Sequence, residues 1–235
     1  MRDATKISDY FYGAKTLFII PLYQRKYAWQ QKHCVRLFED LKKIHRDGIY
    51  SHFFGSIVST KASETENDLL IIDGQQRITT LSLLILAGIN AVKNGDMQKG
   101  DEDIEEVYKN YLLAVRRRLP RQIKLRPIEG DMEAYDALFN NHPDDFVKNT
   151  GITSNYNLFY QMIKSSRHNI ICDALLCYHT ENDQLMLHVH TQYPSTFPNH
   201  TCGVTFEHFL VSLSGTPLQV RTPFLKTYEL VTLSS

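Results

Sequence analysis

Residues 71–84 read Ile-Ile-Asp-Gly-Gln-Gln-Arg-Ile-Thr-Thr-Leu-Ser-Leu-Leu, and this stretch decides the fold. The apolar run Leu69–Ile72 has the length and composition of a buried strand. Asp73-Gly74 is a turn dipeptide, and its glycine tolerates the positive φ that a tight turn demands. A strongly apolar helix is expected from about Thr79 to Val92, ending near Asn94-Gly95. The order is therefore strand, tight turn, helix start. Unpaired backbone N–H groups and the positive end of the helix dipole converge at such a place, which suits an anion. Arg77 adds a planar fork of donors that matches phosphate oxygens. Gln75 and Gln76 each offer a donor and an acceptor to a base, a ribose or a water. Asp73 could hold a metal, accept from a ribose or orient Arg77. Thr79 or Thr80 could cap the helix or touch a phosphate. The same letters also fit a plain capped turn with Arg77 in a surface ion pair.

A second cluster lies upstream. Residues 20–29 read Ile-Pro-Leu-Tyr-Gln-Arg-Lys-Tyr-Ala-Trp and follow the β-rich segment Thr16–Ile20, which stops at Pro21. Aromatic rings with an interleaved arginine can stack a base and grip a phosphate. They can equally close a core, because aromatic side chains carry large apolar area. Tyr27 and Trp29 fit packing, whereas Tyr23, Gln24 and Arg25 fit a site.

The rest of the chain alternates short strands and helices. A helix over 30–47 places Val35, Leu37, Phe38, Leu41 and Ile44 at helical spacing, and Gly48 stops it. Phe53–Thr60 reads as a strand, with Gly55 where backbone can approach a ligand closely. A charged helix is expected over 102–118, a short strand over Ile123–Arg126, and amphipathic helices over Asp131–Asn140 and Asn155–Ser165. This pattern predicts an α+β or α/β fold.

Composition is that of an ordinary globular protein, 43% hydrophobic and 22% charged, with zero net charge over 235 residues. Zero net charge writes no general attraction to nucleic acid or membrane into the chain. No apolar run reaches membrane-spanning length, and Met1–Asp9 is too charged for a secretory signal. A cytoplasmic bacterial protein with reduced cysteines is expected. The chain changes character near residue 170: 24 Lys+Arg and 21 Asp+Glu precede residue 171, but only 2 and 5 follow it. The expected organisation is a nucleotide-binding domain over 1–100, a helical continuation over 101–170, and an atypical tail over 171–235. In that tail Cys172, Cys177, His179, His188, His190, His200 and Cys202 fit no closed zinc-ligand spacing. Arg116–Arg118, Arg121 and Lys124 form a basic patch, readable as a DNA-phosphate contact or a solvated helix end. His33, His45 and His52 show no partner pattern.

The segments IPLYQRKYAW (20–29), FFGSIV (53–58) and IIDGQQRITTLSLL (71–84) resemble, in order and spacing, the N-terminal domain of GmrSD-type modification-dependent restriction endonucleases. Weaker echoes follow in KLRPIEGDMEAYDALF (124–139) and TSNYNLFYQMI (153–163). The resemblance implies an α+β domain similar to the ParB/sulfiredoxin-like fold, a helical segment after it and a poorly defined tail. It implies binding and hydrolysis of a nucleoside triphosphate (GTP, ATP, CTP or UTP) with magnesium, and the sensing of modified phage DNA. The family's Asp-Gly-Gln-Gln-Arg motif falls on Asp73, Gly74, Gln75, Gln76 and Arg77, and its Tyr-Gln-Arg motif on Tyr23, Gln24 and Arg25. Family members normally continue with a further segment, of which the tail shows only a faint trace at Gly215-Thr216-Pro217-Leu218, and in them a C-terminal His-Asn-His nuclease cuts DNA. The expectation is a chain truncated before the nuclease, its tail read out of frame, with any nuclease acting in trans.

Three functions follow as expectations. The first is a nucleotide-binding sensor domain of an antiphage restriction system. The second is a non-enzymatic DNA-binding module using Tyr23, Arg25 and the basic patch. The third is an inactive remnant.

Overall fold

The computed structural model describes residues 4–6, 10–13, 15–47, 51–62, 67–98, 103–115, 120, 122–166 and 184–192, all within a compact unit of residues 1–194. Among the described residues, five α-helices and a mixed six-stranded sheet make up an α+β fold. The sheet order is β1 (Ala4–Lys6), β8 (Gln184–Gln192), β3 (Ser51–Lys61), β4 (Leu69–Asp73), β2 (Phe18–Ile19) and β7 (Leu125–Arg126). β4 runs antiparallel to β3 and parallel to β2, so the strand leading into the Asp-Gly turn is central. Two-residue strands β5 (Leu113–Ala114) and β6 (Gln122–Ile123) form a separate ladder.

Helix α2 (Gln75–Lys93) is the axis of the core. Its residues are buried from Ile78 through Ala91 on every face, as expected for a helix apolar all round. It packs on α5 (Gly151–Lys164), on α3 (Ile104–Leu112) and on β3. On α1 (Gln31–Asp47) the buried stripe is Cys34, Leu37, Phe38 and Leu41, the i, i+3, i+4, i+7 set. Val35, expected in that stripe, is 38% exposed, because it lies a quarter-turn off the Cys34 line. Helix α4 (Glu129–Phe139) packs on α5 and contributes Tyr135 and Leu138 to the same core.

Several boundaries differ from the sequence reading, each for a physical reason. α2 begins at Gln75 rather than Thr79, because a single glycine makes the whole turn. α3 stops at Leu112, since Leu113 goes extended to pair with Ile123. The strand expected over 123–126 is split at Lys124, whose backbone joins two systems. Its N–H donates to Leu112 O at 2.8 Å and its carbonyl accepts from Phe18 N at 2.8 Å. Within the expected tail, Gln184–Gln192 forms β8 between β1 and β3. Its sequence QLMLHVHTQ alternates with period two, a strand signal that a search for helical periodicity passes over. The tail cysteines, the Gly215–Leu218 trace, and Arg116–Arg118 with Arg121 lie outside the described residues.

Lys124 does not belong to a surface basic patch. It is 1% exposed, and its ammonium donates to Phe11 O at 2.6 Å, to Gly13 O at 2.8 Å and to Asn110 O. Three donors meet three carbonyls, which ties the N-terminal segment and α3 to the sheet edge. Burial pushes its pKa down from 10.5 to about 8, so the folded chain sheds this proton before the unfolded chain does. Below that pH the buried charge is held at a cost. Between there and the unfolded value the folded state binds fewer protons, so the contribution of Lys124 to stability rises with pH. Lys124→Met should lower the unfolding free energy by about 2–4 kcal/mol, since three buried carbonyls lose their donor. In urea unfolding from about pH 8 to about pH 10, the gap between the two proteins should widen as pH rises; parallel profiles would count against it.

Candidate functional site

The turn from β4 into α2 is built by Gly74. Its φ is 91°, in the left-handed region, and it serves as N-cap with no side-chain hydrogen bond. A Cβ there would sit 2.9 Å from Ser56 O and 2.9 Å from Ile57 Cγ1, so both the dihedral and the approach to β3 require glycine. The amides of Arg77 and Ile78 both donate to Gly74 O at 3.0 Å. Those of Gln75 and Gln76, the first two of the helix, have no acceptor within it. They carry the positive end of the dipole.

Arg77 leaves the first turn of α2 and lies across β3. Its Nη1 donates to Ser56 O at 3.1 Å. Gly55, at φ 118°, sits beneath it where the β3–β8 register shifts between Phe53 and Ser56. A Cβ on Gly55 would be 2.5 Å from Arg77 Nε. The irregular strand and the missing side chain thus make the bed on which the guanidinium rests.

The loop after β2 supplies the opposite wall. Gln24 Nε2 donates to Ile72 O at 2.8 Å, and Gln75 Nε2 donates to Gln24 Oε1 at 3.1 Å. The backbone carbonyl can only accept, so it sets the polarity of both amides. Arg25 is exposed, and among the described residues neither it nor Arg77 is in an ion pair. Trp29 closes the side, its ring 5.4 Å from His33 and 6.0 Å from Phe54.

These pieces enclose an open cleft of about 290 Å³ lined by Gln24, Arg25, Trp29, Asp73, Gly74, Gln75, Gln76 and Arg77. Two guanidiniums, one carboxylate and a helix start face one space, and the balance favours an anion. The structure thus brings the two sequence clusters together. Gly55 contributes from below, through Arg77. Tyr23 stands at 62% exposure outside the lining. Thr79 and Thr80 are buried and do not line the cleft either. They do not cap the helix, because α2 starts four residues before Thr79. Thr80 Oγ1 instead donates to Gln76 O at 2.7 Å and accepts from Tyr27 Oη at 2.8 Å. Burial raises the Tyr27 hydroxyl far above the usual phenol range. Tyr27 is a packing residue, as read from the sequence, while Trp29 lines the cleft. Among the described residues no group of three His, Cys, Asp or Glu could hold a metal ion, and no helix is long and apolar enough to cross a membrane.

The family described as GmrSD restriction endonuclease, N-terminal domain, matches residues 7–209. The chain belongs to that family and is a restriction-endonuclease-related defence protein. The match runs past β8 into the segment that composition set apart as a tail. Among curated proteins, none matches the chain.

Gly74→Ala should cost about 2–3 kcal/mol, because it combines left-handed strain with a clash against β3 backbone that cannot yield. Urea unfolding checks this; a wild-type midpoint would contradict the close approach.

Proposed function

We propose that the cleft binds the polyphosphate of a nucleoside triphosphate, and that the chain is the nucleotide-responsive domain of an antiphage restriction system. The observation that carries this reading is the convergence of Arg25, Arg77 and the free amides of Gln75 and Gln76 on one opening. Its volume of about 290 Å³ suits a phosphate tail, with the base reaching outward past Trp29. Asp73 is the single carboxylate on the lining. One carboxylate together with phosphate oxygens is the usual set for magnesium, so the residues present fit Mg²⁺ held jointly with the nucleotide. The bound ion would neutralise phosphate charge. Gln75, its orientation imposed through Gln24 and Ile72 O, would position the nucleotide or a water, and hydrolysis would rest on such positioning. Cleavage of DNA would fall to a nuclease domain or subunit acting with this one, in the cytoplasm.

A second reading, a module that grips modified DNA without turnover, is favoured by Leu22 and Tyr23, exposed at 82% and 62% beside Arg25. The two readings part on salt: phosphate-backbone contacts make DNA affinity fall steeply with salt in the absence of nucleotide.

Arg25 gives the cleaner test, since Arg77 also braces β3. Arg25→Ala should weaken binding of magnesium GTP, ATP, CTP or UTP by about 10- to 100-fold, the worth of one charge-assisted contact. The unfolding midpoint should stay at the wild-type value. Unchanged affinity by titration calorimetry would remove Arg25 from the site.

A further inference from the structure

The two glutamines of the Asp-Gly-Gln-Gln-Arg turn have different partners. Gln75 faces the cleft and touches Gln24. Gln76 spends both ends of its amide on main chain: its Oε1 accepts from Ala28 N at 2.7 Å, and its Nε2 donates to Lys26 O at 3.2 Å. Two residues from other helices grip the same segment. Asp131, in the first turn of α4, accepts from Tyr27 N at 2.7 Å. Asn155, in the second turn of α5, donates to Trp29 O at 2.8 Å and to Tyr27 Oη at 3.0 Å. Thr150 caps that helix, accepting from Thr153 N at 3.1 Å, which holds the Asn155 turn in place. Four backbone groups of residues 26–29 are thus satisfied by side chains from three helices. None belongs to a ladder or turn of the loop itself.

We infer that the side chains of Gln76, Asp131 and Asn155 are positioning groups that hold the 26–29 loop in its ligand-ready form, placing Arg25 and Trp29 at the cleft while their own polar atoms stay on the loop main chain. An extended segment carrying its own polar groups would otherwise sample many conformers, and ligand binding would have to order it. Asn155 is 1% exposed and Gln76 7%, so both act from within the core. The role rests on the polyphosphate reading for its functional consequence, but the clamp itself can be read without any ligand.

Trp29 is the only tryptophan in the chain, and its carbonyl is one of the clamped groups. Its fluorescence therefore reports the loop directly. The test uses the full chain as wild type, Asn155→Ala, Gln76→Met and Asn90→Ala. Asn90 is the control: its Nδ2 donates to Tyr156 Oη at 2.8 Å, bridging the same pair of helices, α2 and α5, without touching the loop. Acrylamide quenching of Trp29 is measured well below each unfolding midpoint, followed by titration with magnesium GTP and with inorganic tripolyphosphate. Asn155→Ala and Gln76→Met should each raise the quenching constant by about twofold and weaken tripolyphosphate binding by about tenfold, as expected when a preformed loop is freed. Asn90→Ala should lower the midpoint while leaving quenching and affinity at wild-type values. Wild-type quenching in both loop variants overturns the inference, as does Asn90→Ala changing quenching and affinity as much as they do. If the wild type binds neither probe, the polyphosphate reading fails, and the quenching comparison still decides the clamp. If Asn155→Ala does not fold, Gln76→Met, whose side chain keeps nearly the same length and shape, carries the test.

Discussion

The contact on which the rest depends is the one between Gly74 and the backbone of β3. With Ser56 O and Ile57 Cγ1 each 2.9 Å from where a Cβ would stand, no other residue lets the chain leave β4 and enter α2 in a single step. That compression sets the register of α2. Gln75 therefore falls beside Gln24, Gln76 under the 26–29 loop, and Arg77 over Gly55. A turn one residue longer would rotate the helix start by about 100° and aim each of these side chains elsewhere.

The same compression explains how an anion site coexists with a dry core. α2 is buried along almost its whole length, yet its first amides open to solvent through the cleft. Leaving those amides uncapped costs stability unless something accepts from them. Two cations without ion-pair partners among the described residues add to that imbalance. An anion answers both, with Asp73 limiting the net charge.

Much of this was legible in the sequence because it is local. Leu69–Ile72, Asp73-Gly74 and the apolar run to Val92 announce strand, turn and helix within 25 residues. The pairing of Tyr23–Arg25 with that turn came from the family resemblance, and the fold joins Gln24 and Arg25 to it through β2 and β4. Illegible were the contacts made across the chain. The i−j separation is 104 for Asp131 and Tyr27, and 126 for Asn155 and Trp29, and no periodicity encodes such a pair. A signal did exist: Lys124, Asp131 and Asn155 all lie in the two weaker segments of family resemblance, 124–139 and 153–163. The capping role expected of Thr79 or Thr80 failed because the helix start was placed where the apolar run becomes continuous. The two polar glutamines are in fact its first, buried turn. Lys124 reads as surface by its charge alone, and only the three converging carbonyls show why an ammonium can be buried there.

The central claim is that this cleft holds a polyphosphate. A thermal-shift series on the full chain with GTP, ATP, CTP, UTP and inorganic tripolyphosphate, each with magnesium, tests it most directly. A ligand that binds the folded state at 100 times its Kd adds about 2.7 kcal/mol of stability. The account predicts a concentration-dependent rise in the midpoint with at least one nucleotide and with tripolyphosphate, displaced to higher ligand concentration in Arg25→Ala. No rise with any of the five, up to millimolar concentration, would contradict it.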